Sequence, residues 1–255
     1  GLAKALALET KLPIVAVPTT YSGSEQTNIW GISSEEGKTT GKSMAVMPKV
    51  VVYDSDLTAG LPLNLAVTSG MNAMAHLMEA IYAPNGNPVT RHHALLGVEK
   101  IKLGLEEVAR EQQLTEKANI DIQFGAYLAG KCLCEVSMSL HHKMAHVLGG
   151  SFKLEHSYVH TVLQSFVLNY QWEYLSKEIK SDFVQVLGAE PAHKLQELSA
   201  KAGGPTDLKS IGFKKEDIDK AVDTVLAKPY ENVAPLEKAK LVEMLQHAYE
   251  GSLEG

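Results

Sequence analysis

A change of period near residue 62 constrains what this chain can fold into. From Pro62 onward apolar residues recur at three- and four-residue spacing almost without a break, the pattern of helices that bury one face. The first such segment, "PLNLAVTSGMNAMAHLMEAIYA", stops at "NGNP", residues 85–88, where Gly and Pro end a helix. Further helices are expected near 89–108, 114–135, 138–148, 157–170, 172–187, 191–202, 214–227 and 235–250, with stops at "GG" (149–150), "GGP" (203–205) and "KPYENVAP" (228–235).

Ahead of Pro62 the runs are short and of β type: "LPIVAVPTT" at 12–20, "TNIWGIS" at 27–33 and "KVVVYDSD" at 49–56. The first and third are continuous apolar runs, as expected of strands covered on both faces. "GLAKALALET" before them reads as a helix, which gives the helix-then-strand rhythm of an α/β sheet. The division expected is therefore residues 1–61, part of an α/β unit, and residues 62–255, an all-helical domain. A sheet beginning this way has an uncovered edge and face, so its completion by a further segment or another chain is expected.

Composition excludes several classes. Of the 255 residues 45% are hydrophobic and 21% charged, values of a globular chain. A net charge of −6 argues against a nucleic-acid surface, which needs clustered Lys and Arg. No apolar run has the length to cross a bilayer and no signal peptide opens the chain. Cys132 and Cys134, in "KCLCE", read as thiols of a reducing cytoplasm rather than a disulfide.

Three stretches carry candidate chemistry. "PTTYSGSEQT" (18–27) follows an apolar strand and sets hydroxyls and a glycine at its carboxyl end, where α/β sheets bind ligands. In "SGMNAMAHLMEA", Asn72 and His76 lie four apart on one helix face. In "HHKMAHVLGGSFKLEH" (141–156), His142 and His146 are spaced likewise, and His156 follows beyond the two glycines. Such pairs can begin a metal site, or each can be an interior histidine bonded to a backbone carbonyl. Asn72 is neutral where a carboxylate would balance an ion's charge. Together with Lys143, protonatable imidazoles suit an anionic substrate instead.

In order and spacing these motifs resemble the iron-dependent alcohol dehydrogenase superfamily, and within it the maleylacetate reductases. "PTTYSGSE" looks like the family's Thr-Thr loop near the nicotinamide, and "GMNAMAHLMEA" like the helix whose Asp and His bind iron, with Asn72 at the Asp position. "HHKMAHVLGGSFKLEH" looks like the segment that supplies the other two metal histidines, here His142 and His156. Glu155, where the family often has Pro, and "LQSF" (163–166), where Leu-Pro-His is commoner, depart from the pattern.

The resemblance implies a partial dinucleotide-binding α/β domain followed by an all-α domain, the dehydroquinate synthase-like fold, with the site in the cleft between them. The family's Gly-Gly-Gly-Ser pyrophosphate turn would fall just before Gly1. The implied activity is NADH- or NADPH-dependent reduction of maleylacetate, a small dicarboxylate, to 3-oxoadipate in aromatic-compound degradation, by a cytoplasmic homodimer. His142 and His76 would stabilise the developing enolate, and His146 or His156 would supply the proton. Lys143 and Tyr21 would meet the substrate carboxylates. Thr19, Thr20, Ser22, Ser24, Lys38 and Leu57 would line the cofactor side. Iron or zinc, if bound, would use Asn72, His76, His142 and His156, but none is expected to be required. The alternatives are a metal-dependent alcohol or lactaldehyde-type dehydrogenase, which needs a carboxylate at Asn72, and a non-catalytic truncated helical module.

Overall fold

The computed structural model describes residues 1–34 and 37–253; the side chains of residues 33–38 lie outside that description. Helix α1 (Leu2–Thr10) ends where Lys11 adopts a left-handed φ of 59°. Strand β1 (Val15–Ala16) pairs in parallel with β4 (Val50–Val51), Val15 opposite Val50 and Ala16 opposite Val51. Between them β2 (Ile29–Ser34) and β3 (Gly37–Lys42) form an antiparallel hairpin, Trp30 facing Gly41. The apolar pattern does not announce β3. It forms because the Trp30 ring covers Gly41, where a Cβ would stand 2.6 Å from the indole.

The expected covering of the apolar strands is not found among the described residues. Val15 and Val50 are 64% and 51% exposed, and Val17 and Val52 are exposed beside them. Only a small cluster of Ala7, Ile14 and Val46 is buried here. Lys4 holds the region together: its ammonium donates to the carbonyls of Ser24, Thr27 and Ile29 and to the Thr27 hydroxyl, at 2.6–3.0 Å.

The helices follow the periodicity closely. They are α2 (Leu63–Tyr82), α3 (Pro88–Glu111), α4 (Glu116–Glu135), α5 (Leu140–Ser151), α6 (His156–Trp172), α7 (Lys177–Leu187), α8 (Pro191–Lys201), α9 (Ile218–Leu226) and α10 (Lys238–Glu250). Local capping sets several starts. Asn87 accepts from the amides of Val89 and Thr90, Thr115 from Ala118 and Ser176 from Ile179. The glycines at 149–150 do not stop α5, which runs on to Ser151; Lys153, at φ 56°, turns the chain instead.

Helix α2 is the axis of the molecule. From Ala66 to Tyr82 every residue except Asn72 is buried, the signature of a helix surrounded on all sides. It packs against α3, α4 and α6, and one continuous core runs from Tyr21 to Leu253. None of the described helices is long and apolar enough to cross a membrane. Cys132 is buried and Cys134 partly so, both as free thiols. The loop after β1 is seated on α4 by a glycine pair: Gly23, at φ 75°, lies so close to Gly130 that a Cβ there would stand 2.4 Å from the Gly23 carbonyl oxygen.

Candidate active site

Three helices bring six imidazoles together around α2. Helix α2 presents Asn72, His76 and Glu79 within two turns, α5 presents His141, His142 and His146, and α6 opens with His156 and presents His160 one turn later. The rings of His76 and His142 stack with centroids 4.7 Å apart and planes 24° from parallel. His160 sits among the others, 4.8 Å from His142, 4.9 Å from His141 and 4.4 Å from His156. His146 lies 5.7 Å from His156. The structure thus gathers the four histidines expected from the sequence.

It also adds three partners that sequence reasoning missed: His141, His160 and Glu79. His141 Nε2 and His160 Nδ1 are 2.8 Å apart, and His160 Nε2 and His156 Nε2 are 3.0 Å apart. Glu79, 1% exposed, lies with Oε2 2.7 Å from His142 Nδ1 and accepts from the amides of Ser139 and His141 at 2.9 and 2.8 Å. The signals were present in the spacing. His160 stands four residues beyond His156, and a carboxylate within a wholly buried helix requires partners.

Burial decides the charge of the cluster. It holds His76, His142 and His160 well below the ordinary imidazole value, mutual repulsion adding to the effect, and pulls His141 down to about 3. Burial thus favours the neutral form of these four rings, so an anion would meet imidazoles that can take up a proton rather than ones already charged. Burial pushes the Glu79 carboxyl upward, while the surrounding amides act in the opposite direction. Three buried polar atoms of the site have no hydrogen-bond partner among the described residues: Asn72 Oδ1, His76 Nδ1 and His142 Nε2. An unmet buried acceptor costs about 1–3 kcal/mol, so the site is built for something that supplies donors or an electrophile.

As placed here, the described side chains do not form a tetrahedral set of metal ligands. His76 and His142 stack face to face rather than converging, His156 Nε2 is engaged with His160, and Glu79 is committed to amides. Among the described residues no group of three His, Cys, Asp or Glu side chains is disposed to hold an ion.

The other expected residues divide. Tyr21 does not face the cluster: it is 1% exposed in the core, and its hydroxyl donates to Asn119 Oδ1 at 2.6 Å. That hydroxyl is already used, so Tyr21 is not a carboxylate contact. Lys143 lies half-buried with its ammonium over the Tyr230 ring, 5.8 Å from the centroid. Thr19, Ser22 and Ser24 are exposed and Thr20 half-buried at the carboxyl end of β1, and Leu57 is 51% exposed nearby in the chain after β4. The side chain of Lys38 lies outside the described residues.

The helical frame around a histidine-lined site has known counterparts. Residues 66–249 match the C-terminal part of the Fe-containing alcohol dehydrogenase family, and the chain belongs to that family of oxidoreductases. More particularly, it is 41% identical over 251 residues to maleylacetate reductase of Pseudomonas sp. strain P51, covering 98% of this chain and 71% of that protein. The crystal structure of maleylacetate reductase from Rhizobium sp. strain MTP-10005 superposes with a TM-score of 0.94 at 38% identity, covering 99% of this chain and 71% of that one. That from Agrobacterium tumefaciens gives 0.95 at 37% identity, covering 100% and 72%.

Proposed function

We propose that this chain carries the substrate site of a maleylacetate reductase that uses NADH or NADPH. The relatives at 41% identity bear that activity in their names, and one observation of the site supports it: Asn72 Oδ1, His76 Nδ1 and His142 Nε2 are buried together without partners and without a free carboxylate. A dianionic substrate is repelled by carboxylates, and neutral imidazoles can take up a proton as it binds. Residues 1–61 are proposed as the C-terminal part of the dinucleotide-binding domain, and residues 62–255 as the helical catalytic domain.

The cofactor side fits on chemistry. The exposed hydroxyls of Thr19, Ser22 and Ser24 stand at the carboxyl end of a parallel strand, the general ligand position of α/β sheets. The bound nicotinamide would supply a hydride to the alkene carbon β to the ketone. Negative charge then develops on the enolate oxygen, and a proton at the neighbouring carbon completes 3-oxoadipate; two electrons and two hydrogens are added in all. His76 and His142 are proposed to face that oxygen and His156 or His146 to deliver the proton. Because His142 Nδ1 is committed to Glu79, only its Nε2 is left for the substrate. Lys143 remains a candidate for one carboxylate.

The test is NADH oxidation with maleylacetate, with and without chelator. It should be run on this chain and on a version extended by the N-terminal segment its relatives carry. Turnover that survives chelation is expected. Loss of most activity, restored by one equivalent of iron or zinc, would overturn the metal-free part of the reading. Absence of turnover in both versions would overturn the substrate.

A further inference from the structure

Helix α5 begins without a cap of its own. Ser139 occupies the capping position, yet its hydroxyl is turned to the carbonyl of Glu231 at 2.6 Å and to Asn232 Oδ1 at 2.8 Å. The first amides of the helix find their acceptor on another helix. Glu79 Oε1 accepts from His141 N–H, and Oε2 from Ser139 N–H and from His142 Nδ1. Amide groups only donate, so this carboxylate is surrounded by donors and sits at the positive end of α5. Two amides and the helix end favour the ionised carboxylate against the burial that opposes it, and in that form the proton of the 2.7 Å contact with His142 belongs to nitrogen.

We propose that Glu79 is the positioning residue of this site: it holds His142 in its Nδ1–H form, so that Nε2 presents a lone pair on the side of the ring away from the carboxylate, where no protein group meets it. The same carboxylate fixes the start of α5, so ring direction and helix position are set by one group. The meaning for catalysis rests on the maleylacetate reading; the tautomer does not. A carboxylate behind an imidazole commonly fixes tautomer and orientation, and losing such a partner typically costs about 10–100-fold in function.

The experiment reads the ring nitrogens of histidine-labelled protein by NMR near pH 7.5, with the His142 signals assigned by their loss in His142→Gln. The expected result for the native chain is one protonated Nδ1 and one unprotonated Nε2 at His142. A proton on Nε2, or exchange between the two, overturns the proposal with no need for any Glu79 variant to fold. In Glu79→Gln a donor replaces one acceptor, and His142 is expected to lose its single tautomer, with kcat at least about 10-fold lower and KM changed less than about 2-fold. Glu79→Asp is expected to keep the tautomer and restore part of kcat. A folded Gln variant with an unchanged tautomer sinks the idea. If the native protein does not turn over maleylacetate, the functional reading fails, and the tautomer still decides Glu79.

Discussion

Helix α2 and the segment around strand β1 are both rich in apolar residues, and the structure treats them in opposite ways. Around α2, other helices close on every side, and residues such as Met71, Met74 and Leu77 are completely buried. Beside β1 only β4 is paired, so Val15 stays 64% exposed. The difference lies in neighbours rather than in side chains. The helical region supplies its own complement, and the α/β region does not among the described residues. The relatives matched here are longer, this chain spanning 71% of the first of them.

Substitutions sharpen that contrast. The largest effect is expected at Leu163, fully buried on α6: Leu163→Ala should cost about 2–5 kcal/mol in denaturant unfolding, through lost burial and the cavity left behind. A cost under about 1 kcal/mol would mean that the helical core is looser than its packing indicates. Next comes the site. His142→Ala should lower kcat by about 100-fold or more while leaving the unfolding midpoint close to native, as expected for a group acting on a proton or a developing charge. An equal loss of stability and activity would place His142 in the core and not in the chemistry.

Asn72→Asp tests the neutral character of the site. Adding a carboxylate beside His76 should tighten zinc binding by about 10-fold or more, a gain of roughly 1.4 kcal/mol, and should slow turnover of a dianionic substrate. Titration calorimetry with zinc alone checks the first half, and unchanged affinity would refute it.

Lys4 offers a smaller, pH-dependent effect in the α/β region. Burial lowers its ammonium to about 8, below the ordinary 10.4 of the unfolded chain. Between those values the unfolded state binds more protons, so the Lys4 contribution to stability rises with pH across about 8 to 10 and is flat below. The native protein should gain stability across that window relative to Lys4→Met, by an amount on the order of 1 kcal/mol. Parallel curves for the two proteins would show that the carbonyl cage keeps the charge. The smallest change is expected at Val15→Ala, within about 0.5 kcal/mol, as for exposed positions generally; a larger loss would show that this face is covered in solution.

Most helices were legible because long amphipathic periods and local stops specify them, as where Asn87 with Pro88 opens α3; the start of α7 was not, since Ser176 caps it within a stretch expected to be helical from 172. The hairpin strand β3 was not legible, since "GKTTGK" carries no alternating pattern and depends on the Trp30 ring across the ladder. Of the candidate site, His76, His142 and His146 could be read from i, i+4 spacing, and His156 from its place beyond the two glycines. Tyr21 could not be placed: a hydroxyl in a Ser/Thr loop looks available until Asn119, 98 residues away, is found bonded to it. Glu79 and His141 acquire their partners from other helices, and His160, although i, i+4 from His156, takes its bond to His141 from another helix too.

The sequence by itself determined the number and approximate places of the helices after residue 62, the absence of a carboxylate at residue 72, and the concentration of histidine in residues 141–156. Those are local properties, set by side-chain period, capping and residue type. Tertiary structure alone decided that burial favours the neutral form of His76, His141, His142 and His160, that His142 turns Nδ1 to Glu79, and that Val15 of β1 lies open. Each depends on the dielectric and the partners that distant segments bring, and a linear string of residues carries neither.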